Sequence, residues 1–185
     1  MLEKNHKNLF IIPGWMKSVS FYGNYNGLDI WKKDFDLTTK IDTKNIVSHS
    51  AGTIFALVNW NLNPNKKIKL ILINPLLPQK NFLQWFFSWL RFAFKGKIRI
   101  DKTMGIKQLF PAIKNFSALL KFNPLAIAEK IPKENLTIIR GANDKFFCND
   151  KVAEIIRNND IKLIEIEGLG HEWNEKFFDA IRDVI

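Results

Sequence analysis

The chain has 185 residues, of which 46% are hydrophobic and 25% charged. That is the size and composition of one ordinary globular domain, which excludes a two-domain enzyme, a fibrous repeat and wholesale disorder. The formal net charge is +10 and there is one cysteine, Cys148, so a disulfide within the chain and a cysteine-rich zinc site are excluded, stability must come from packing, and a reducing, cytoplasmic location is expected.

The charge is unevenly spread. Residues 1–42 carry 6 basic and 5 acidic side chains, residues 43–128 carry 13 and 1, and residues 129–185 carry 9 and 12. Asp101 is the sole acid of the middle segment. Such asymmetry points to an anionic partner, or, since 23 of the 28 basic residues are lysine, to a solvated basic face. Arginine, the bidentate reader of bases and phosphates, occurs five times and widely spaced, so nucleic acid is not an expected partner.

In chain order, Leu9–Ile12 is a short apolar run stopped by Pro13 and Gly14, too short for an export signal. It reads as a strand, as do Leu28–Trp31 and Asn45–Ser48. Ala51–Asn61 follows the third run directly and reads as a helix, and Leu70–Ile73 is the next strand. Between Pro78 and Pro132 the alternation fails. Asn81–Lys95 carries two apolar faces, Phe82, Trp85, Phe86, Trp89 and Ala93 on one and Leu83, Phe87, Leu90 and Phe94 on the other. Helical spacing recurs from Ile106 to Leu120, with Pro111 starting or bending a turn, and Asn123-Pro124 resembles a cap and first helical position. Strands resume at Leu136–Ile139 and Lys162–Ile166, separated by a helix capped near Asn149 and followed by a terminal helix bearing Trp173, Phe177, Ile181 and Val184.

Continuous apolar runs suit strands buried on both faces. The expected fold is α/β: a mostly parallel sheet of about six strands flanked by helices, its core formed by residues 1–77 and 132–185, with residues 78–131 a helical cap insertion. No run is long enough to span a membrane.

Ser48-His49-Ser50-Ala51-Gly52 falls where a strand turns into a helix. A serine there is held with its hydroxyl exposed, and small neighbours let strand and helix approach. A serine hydroxyl needs a base. Of the three histidines, His171 lies in Gly168-Leu169-Gly170-His171 after the last strand, His49 adjoins Ser50 but projects away from the nucleophile's face, and His6 sits in a charged leader. An acid is needed to orient the base. Asp144, on the loop after Leu136–Ile139, is the first candidate, with Asp150, Asp34 and Asp36 as alternatives.

The succession Ser50, Asp144, His171, each at a strand's end, resembles the α/β-hydrolase superfamily. The resemblance covers most of the chain and includes Ile11-Ile12-Pro13-Gly14-Trp15, which is similar to the family's oxyanion loop with Pro13 in a histidine's place. It implies a small serine esterase or thioesterase in which the backbone N–H groups of Trp15 and Ala51 hold the oxyanion. Ser48 departs from the family's glycine, Phe35–Lys44 is short for the usual helix, and the N-terminal antiparallel strands are missing. The insertion falls where the family places its cap, so Trp85, Phe86 and Trp89 are expected to line an acyl pocket.

A small-molecule acyl ester or thioester is the expected substrate. No Walker loop, Gly-x-Gly-x-x-Gly or His-Glu-x-x-His motif occurs, and no cofactor or metal is expected. Arg91, Lys95, Lys97 and Arg99 flank the aromatic helix, which makes contact with an anionic membrane a further expectation. The alternative from another class is a non-catalytic hydrolase-like module that binds lipid or an acidic partner through this basic aromatic cap.

Overall fold

Five apolar runs and one short polar pair form a single sheet in a computed structural model that describes residues 9–78, 81–95 and 98–185. The strands are β1 (Leu9–Ile12), β2 (Asn26–Gly27), β3 (Asn45–His49), β4 (Lys69–Ile73), β5 (Leu136–Gly141) and β6 (Lys162–Ile166). They lie in the order β2-β1-β3-β4-β5-β6, and every pairing is parallel. Parallel neighbours need a crossover, and helices supply most of these: α1 (Gly52–Leu62) between β3 and β4, α2 (Phe82–Lys95), α3 (Leu109–Leu119) and α4 (Pro124–Ala128) between β4 and β5, and α5 (Asp150–Asn158) between β5 and β6; α6 (Lys176–Arg182) follows the last strand.

The period-2 alternation of strands sorts the core into two layers. Ile12, Ile46, Leu70, Leu72 and Ile138 join α1, α5 and the helices between β4 and β5. Ile11, Val47, Ile71, Ile73 and Ile139 face the other way, onto Trp173, Phe177 and Ile181. Both faces are covered over β1, β3, β4 and β5, which is why these strands carry apolar residues on both sides. No helix among the described residues is long and apolar enough to cross a membrane.

From β1 the chain first steps outward to β2, then crosses back to β3 and continues the other way. The order therefore reverses between β1 and β3, and a crevice opens at the carboxyl ends of strands at such a switch point. The Gly14–Trp15 and Ser50 turns both emerge there.

Two expectations change. Leu28–Trp31 is not a strand: β2 is the preceding pair Asn26–Gly27, because Asp29 turns its carboxylate to accept the Val19 N–H at 2.7 Å while Ile30 and Trp31 fold into the core. The terminal helix is shorter than its apolar spacing implies, since Trp173 and Val184 lie outside α6. The connection from β2 to β3 contains no helix, in keeping with its length.

Candidate active site

Each side chain of the site is positioned by a turn at the end of a strand. After β3, Ser50 adopts φ 51°, the left-handed region that a non-glycine residue occupies only when its surroundings enforce it. Its N–H donates to Ile73 O at 2.9 Å, and its carbonyl accepts from the N–H and hydroxyl of Thr53 at 3.0 and 2.5 Å. At Gly52 a Cβ would lie 2.4 Å from Pro13 O, so α1 approaches the β1 loop only because that residue is glycine. Ser48 is fully buried at the turn, its hydroxyl without a hydrogen-bond partner among the described residues.

Asp144 sits on the turn after β5. Its Oδ1 accepts the N–H groups of Phe146 and Phe147, and its Oδ2 accepts Cys148 N–H at 3.0 Å and His171 Nδ1 at 2.6 Å. Burial pushes this carboxyl up, but the charge and hydrogen bond of His171 together with these amides outweigh it and hold the group at about 2. An ionised carboxylate only accepts, so Nδ1 of His171 carries a proton, and in the neutral ring Nε2 presents a lone pair. That nitrogen stands 2.8 Å from Ser50 Oγ. The loop after β6 reaches the site because Gly168 takes φ 76° and Leu169 O accepts Asn143 N–H at 2.7 Å.

The structure thus brings Ser50, His171 and Asp144 into one hydrogen-bonded chain. The alternatives lie elsewhere: Asp150 pairs with Arg140 at 2.6 Å, Asp36 accepts from Thr38, and Asp34 is exposed. His49 bonds to Tyr22 and to the carbonyl of His171 while lining the same cavity as Ser50, and His6 lies outside the described residues. Trp15 and Ala51 line the same cavity as Ser50 and His171, and their N–H groups donate to no acceptor among the described residues. Gly14 N–H is engaged with Tyr22 OH at 2.8 Å.

The cavity wall is aromatic. Trp85, Phe86 and Trp89 all line it, with Phe82, Phe92 and Phe116. Trp89 meets Trp15 edge-on at 5.1 Å, and the His171 ring lies 4.4 Å from Phe147 and 5.2 Å from Phe92. Aromatic walls beside the imidazole exclude water and strengthen the electrostatics of the chain. One face of α2 supplies Phe82, Trp85, Phe86, Trp89 and Phe92 to this wall; the other, with Leu83, Phe87 and Phe94, is exposed.

Several residues escaped sequence reasoning. Lys17 and Glu172 line the cavity as an ion pair at 3.4 Å, and Glu172 also accepts Arg99 N–H at 3.0 Å. Asp101 accepts both the N–H and the hydroxyl of Ser18 at 2.7 Å, which ties the segment after α2 to the loop bearing Trp15. A sole acid in a long basic stretch was the available signal. Among the described residues no group of three or more His, Cys, Asp or Glu is arranged to hold a metal ion.

No family model matches the chain, and no curated protein matches it in sequence. Solved structures do match in shape. N-formylmaleamic acid deformylase from Pseudomonas putida S16 superposes with a TM-score of 0.60 at 16% identity, over 94% of this chain and 90% of that one. An alpha/beta hydrolase fold protein from Burkholderia ambifaria gives 0.53 at 15%, over 95% and 88%. A monoacylglycerol lipase from Paleococcus ferrophilus gives 0.55 at 12%, over 95% and 92%. The chain has the α/β-hydrolase fold.

Proposed function

We propose that this protein is a serine hydrolase that cleaves a carboxylic ester or thioester with an apolar acyl group through an acyl-enzyme on Ser50. The observation that carries the reading is the continuous chain Ser50 Oγ, His171 Nε2, His171 Nδ1, Asp144 Oδ2, with spacings of 2.8 and 2.6 Å, on a turn of positive φ. His171 takes the hydroxyl proton as Ser50 attacks the carbonyl carbon, and Asp144 stabilises the imidazolium that forms. The oxyanion is held by the uncommitted N–H groups of Trp15 and Ala51, each such donor lowering the barrier by about 3 kcal/mol. The tetrahedral centre collapses, the leaving alcohol or thiol takes the proton from His171, and a water deprotonated by the same imidazole releases the acid and restores Ser50.

Residues 78–131 act as the cap, and Trp85, Phe86 and Trp89 enclose the acyl chain. The deformylase, lipase and hydrolase neighbours fit hydrolytic chemistry on this fold. The test is a fluorophosphonate probe together with an acyl-length series of chromogenic esters and thioesters. Wild type labels at Ser50 and prefers apolar chains, and Ser50→Ala loses labelling and at least about a thousandfold in turnover. Failure of wild type to label or to turn over any member of the series overturns the reading.

An anionic membrane surface is the partner proposed for the cap. At about 100° per residue Leu83, Phe87, Leu90 and Phe94 fall within an arc of about 60°, on the side of α2 away from Trp85 and Phe92. Phe94 is 85% exposed and Phe87 62%. Arg91 and Lys95 are exposed beside the stripe, whereas Arg99 is engaged with Trp173 O and the Phe21 ring, and Lys97 lies outside the described residues. Apolar insertion flanked by cations is the pattern of interfacial helices. Vesicles containing phosphatidylglycerol are expected to bind the protein, vesicles of phosphatidylcholine alone to bind it weakly, and Phe87→Glu with Phe94→Glu to abolish binding. Self-association without vesicle binding would assign the stripe to a second copy instead. Under the second, non-catalytic reading, which this exposed stripe favours, vesicle binding persists and no labelling of Ser50 is seen.

A further inference from the structure

Beside the nucleophile lies a buried histidine for which the proposed chemistry has no use. His49 is 3% exposed. Its Nε2 is 2.9 Å from the carbonyl oxygen of His171, and its Nδ1 is 2.9 Å from the hydroxyl of Tyr22, which in turn lies 2.8 Å from Gly14 N. The chemistry of these groups permits one assignment. A carbonyl only accepts, so Nε2 carries the proton. The neutral ring then offers its lone pair at Nδ1, the Tyr22 O–H donates to it, and the phenolic oxygen accepts the Gly14 N–H. Each group fills one role, and the direction of donation runs without conflict from Gly14 to His171.

The two ends of this relay are the two halves of the proposed site. Gly14 precedes Trp15, whose N–H is one oxyanion donor, and His171 carries the general base. At Gly14 a Cβ would meet His49 Nδ1 at 2.9 Å and Ser50 Cβ at 3.3 Å, so the loop is seated directly against the relay. The far end is clamped as well: Asn74 Nδ2 donates to the carbonyls of Gly170 and His171 at 3.0 and 2.8 Å, while its Oδ1 accepts Gly141 N–H at 2.8 Å. The His171 carbonyl therefore has two donors, one reaching it from β3 and one from the end of β4.

We infer that His49 is a positioning residue, a neutral Nε2–H relay that with Tyr22 fixes the oxyanion loop and the backbone of His171 relative to each other across Ser50. The inference rests on the serine-hydrolase reading for its kinetic consequence but not for its geometry. Its effect belongs in kcat: with the aromatic walls of the pocket untouched, substrate binding is unaltered, while a shift between base and oxyanion donors acts on the transition state.

The experiment compares His49→Leu, His49→Gln and Tyr22→Phe with wild type. Glutamine places its amide nitrogen near the position of the imidazole Nε2 and keeps the bond to the His171 carbonyl; leucine keeps neither bond. For protein shown to be folded at the assay temperature, His49→Leu is expected to lower kcat by about tenfold to a hundredfold with KM within about twofold, as displacements of less than an ångström at a reacting centre do. His49→Gln is expected to recover kcat to within about threefold of wild type. A kcat unchanged in His49→Leu, a loss seen in KM instead, or a glutamine variant no better than leucine overturns the inference. Where His49→Leu does not fold, Tyr22→Phe replaces it: it removes the hydroxyl that bonds both Gly14 N–H and His49 Nδ1 while leaving the bond from His49 to the His171 carbonyl, and an unaltered kcat there also overturns the inference. Long-range 1H–15N NMR of wild type reads the tautomer without any substrate. An Nε2–H ring at His49 supports the inference even if no ester is turned over, which would sink the hydrolase reading alone; an Nδ1–H ring overturns it.

Discussion

At the scale of single residues, His49 also bears on how the fold responds to acid. Burial is the main force that keeps its ring uncharged, with repulsion from the neighbouring His171 and Lys17 adding to it and Glu172 opposing, and it moves the group from its ordinary 6.5 to about 4. Between those values the unfolded chain binds a proton that the folded chain refuses. Stability is therefore complete above about pH 6.5 and falls as pH drops toward 4, by on the order of 3 kcal/mol from this site. Urea unfolding at several pH values from 7 to 4.5 is expected to show that decline in wild type and a flatter profile in His49→Gln. Asp144 works in a lower window, because a carboxyl held at about 2 loses its contribution only as pH falls from about 4 to 2. The convergence of Ser50, Asp144 and His171 was legible in the sequence because each follows a short β-branched run with turn chemistry, and parallel strands deliver such turns to one edge of the sheet. The partnership of Tyr22 with His49 was not legible. Nothing local relates residues 22, 49 and 171; only the closed sheet and its burial bring them together.

At the scale of elements, the segment after α2 is fastened through Asp101. One carboxylate oxygen takes the Ser18 N–H and hydroxyl, both at 2.7 Å, and the other takes Thr103 N–H and Oγ1 at 2.8 and 2.6 Å. Asp101 and Ser18 are both buried. Replacement by alanine leaves a buried N–H without a partner, and Asp101→Ala is expected to destabilise the protein by about 2 kcal/mol in urea unfolding and to slow turnover, since Ser18 lies three residues from Trp15. The elements best read in advance are β1, β6 and α5; β1 is stopped by Pro13 and Gly14, and α5 starts at the cap Asn149, whose side chain accepts Val152 N–H at 3.3 Å. The errors came where apolar residues are buried without regular structure. Ile30 and Trp31 are both fully buried and mimic a strand, yet the indole donates to Gly14 O at 2.7 Å and the chain is turning. Trp173 extends the apparent spacing of α6 but packs against Tyr22 at 4.7 Å from a turn that precedes it.

At the scale of the whole molecule, charge and shape divide the labour. The excess of base sits in residues 43–128, which include the exposed stripe of α2. Attraction of that side to an anionic surface is screened over about 10 Å at 0.1 M salt. Vesicle binding is accordingly expected to weaken as salt rises while the apolar part of the affinity persists, a dependence that Phe87→Glu with Phe94→Glu leaves with nothing to anchor it.

The sheet's two rims carry a last consequence. One ends in β2, a strand of two residues, and the other in β6, where Lys162 and Glu165 are exposed and Glu165 is paired with Arg140 and Arg157. A strand from a neighbouring molecule would find almost no ladder to extend at the first and a row of charge at the second, so both margins resist the templated growth that leads to fibrils.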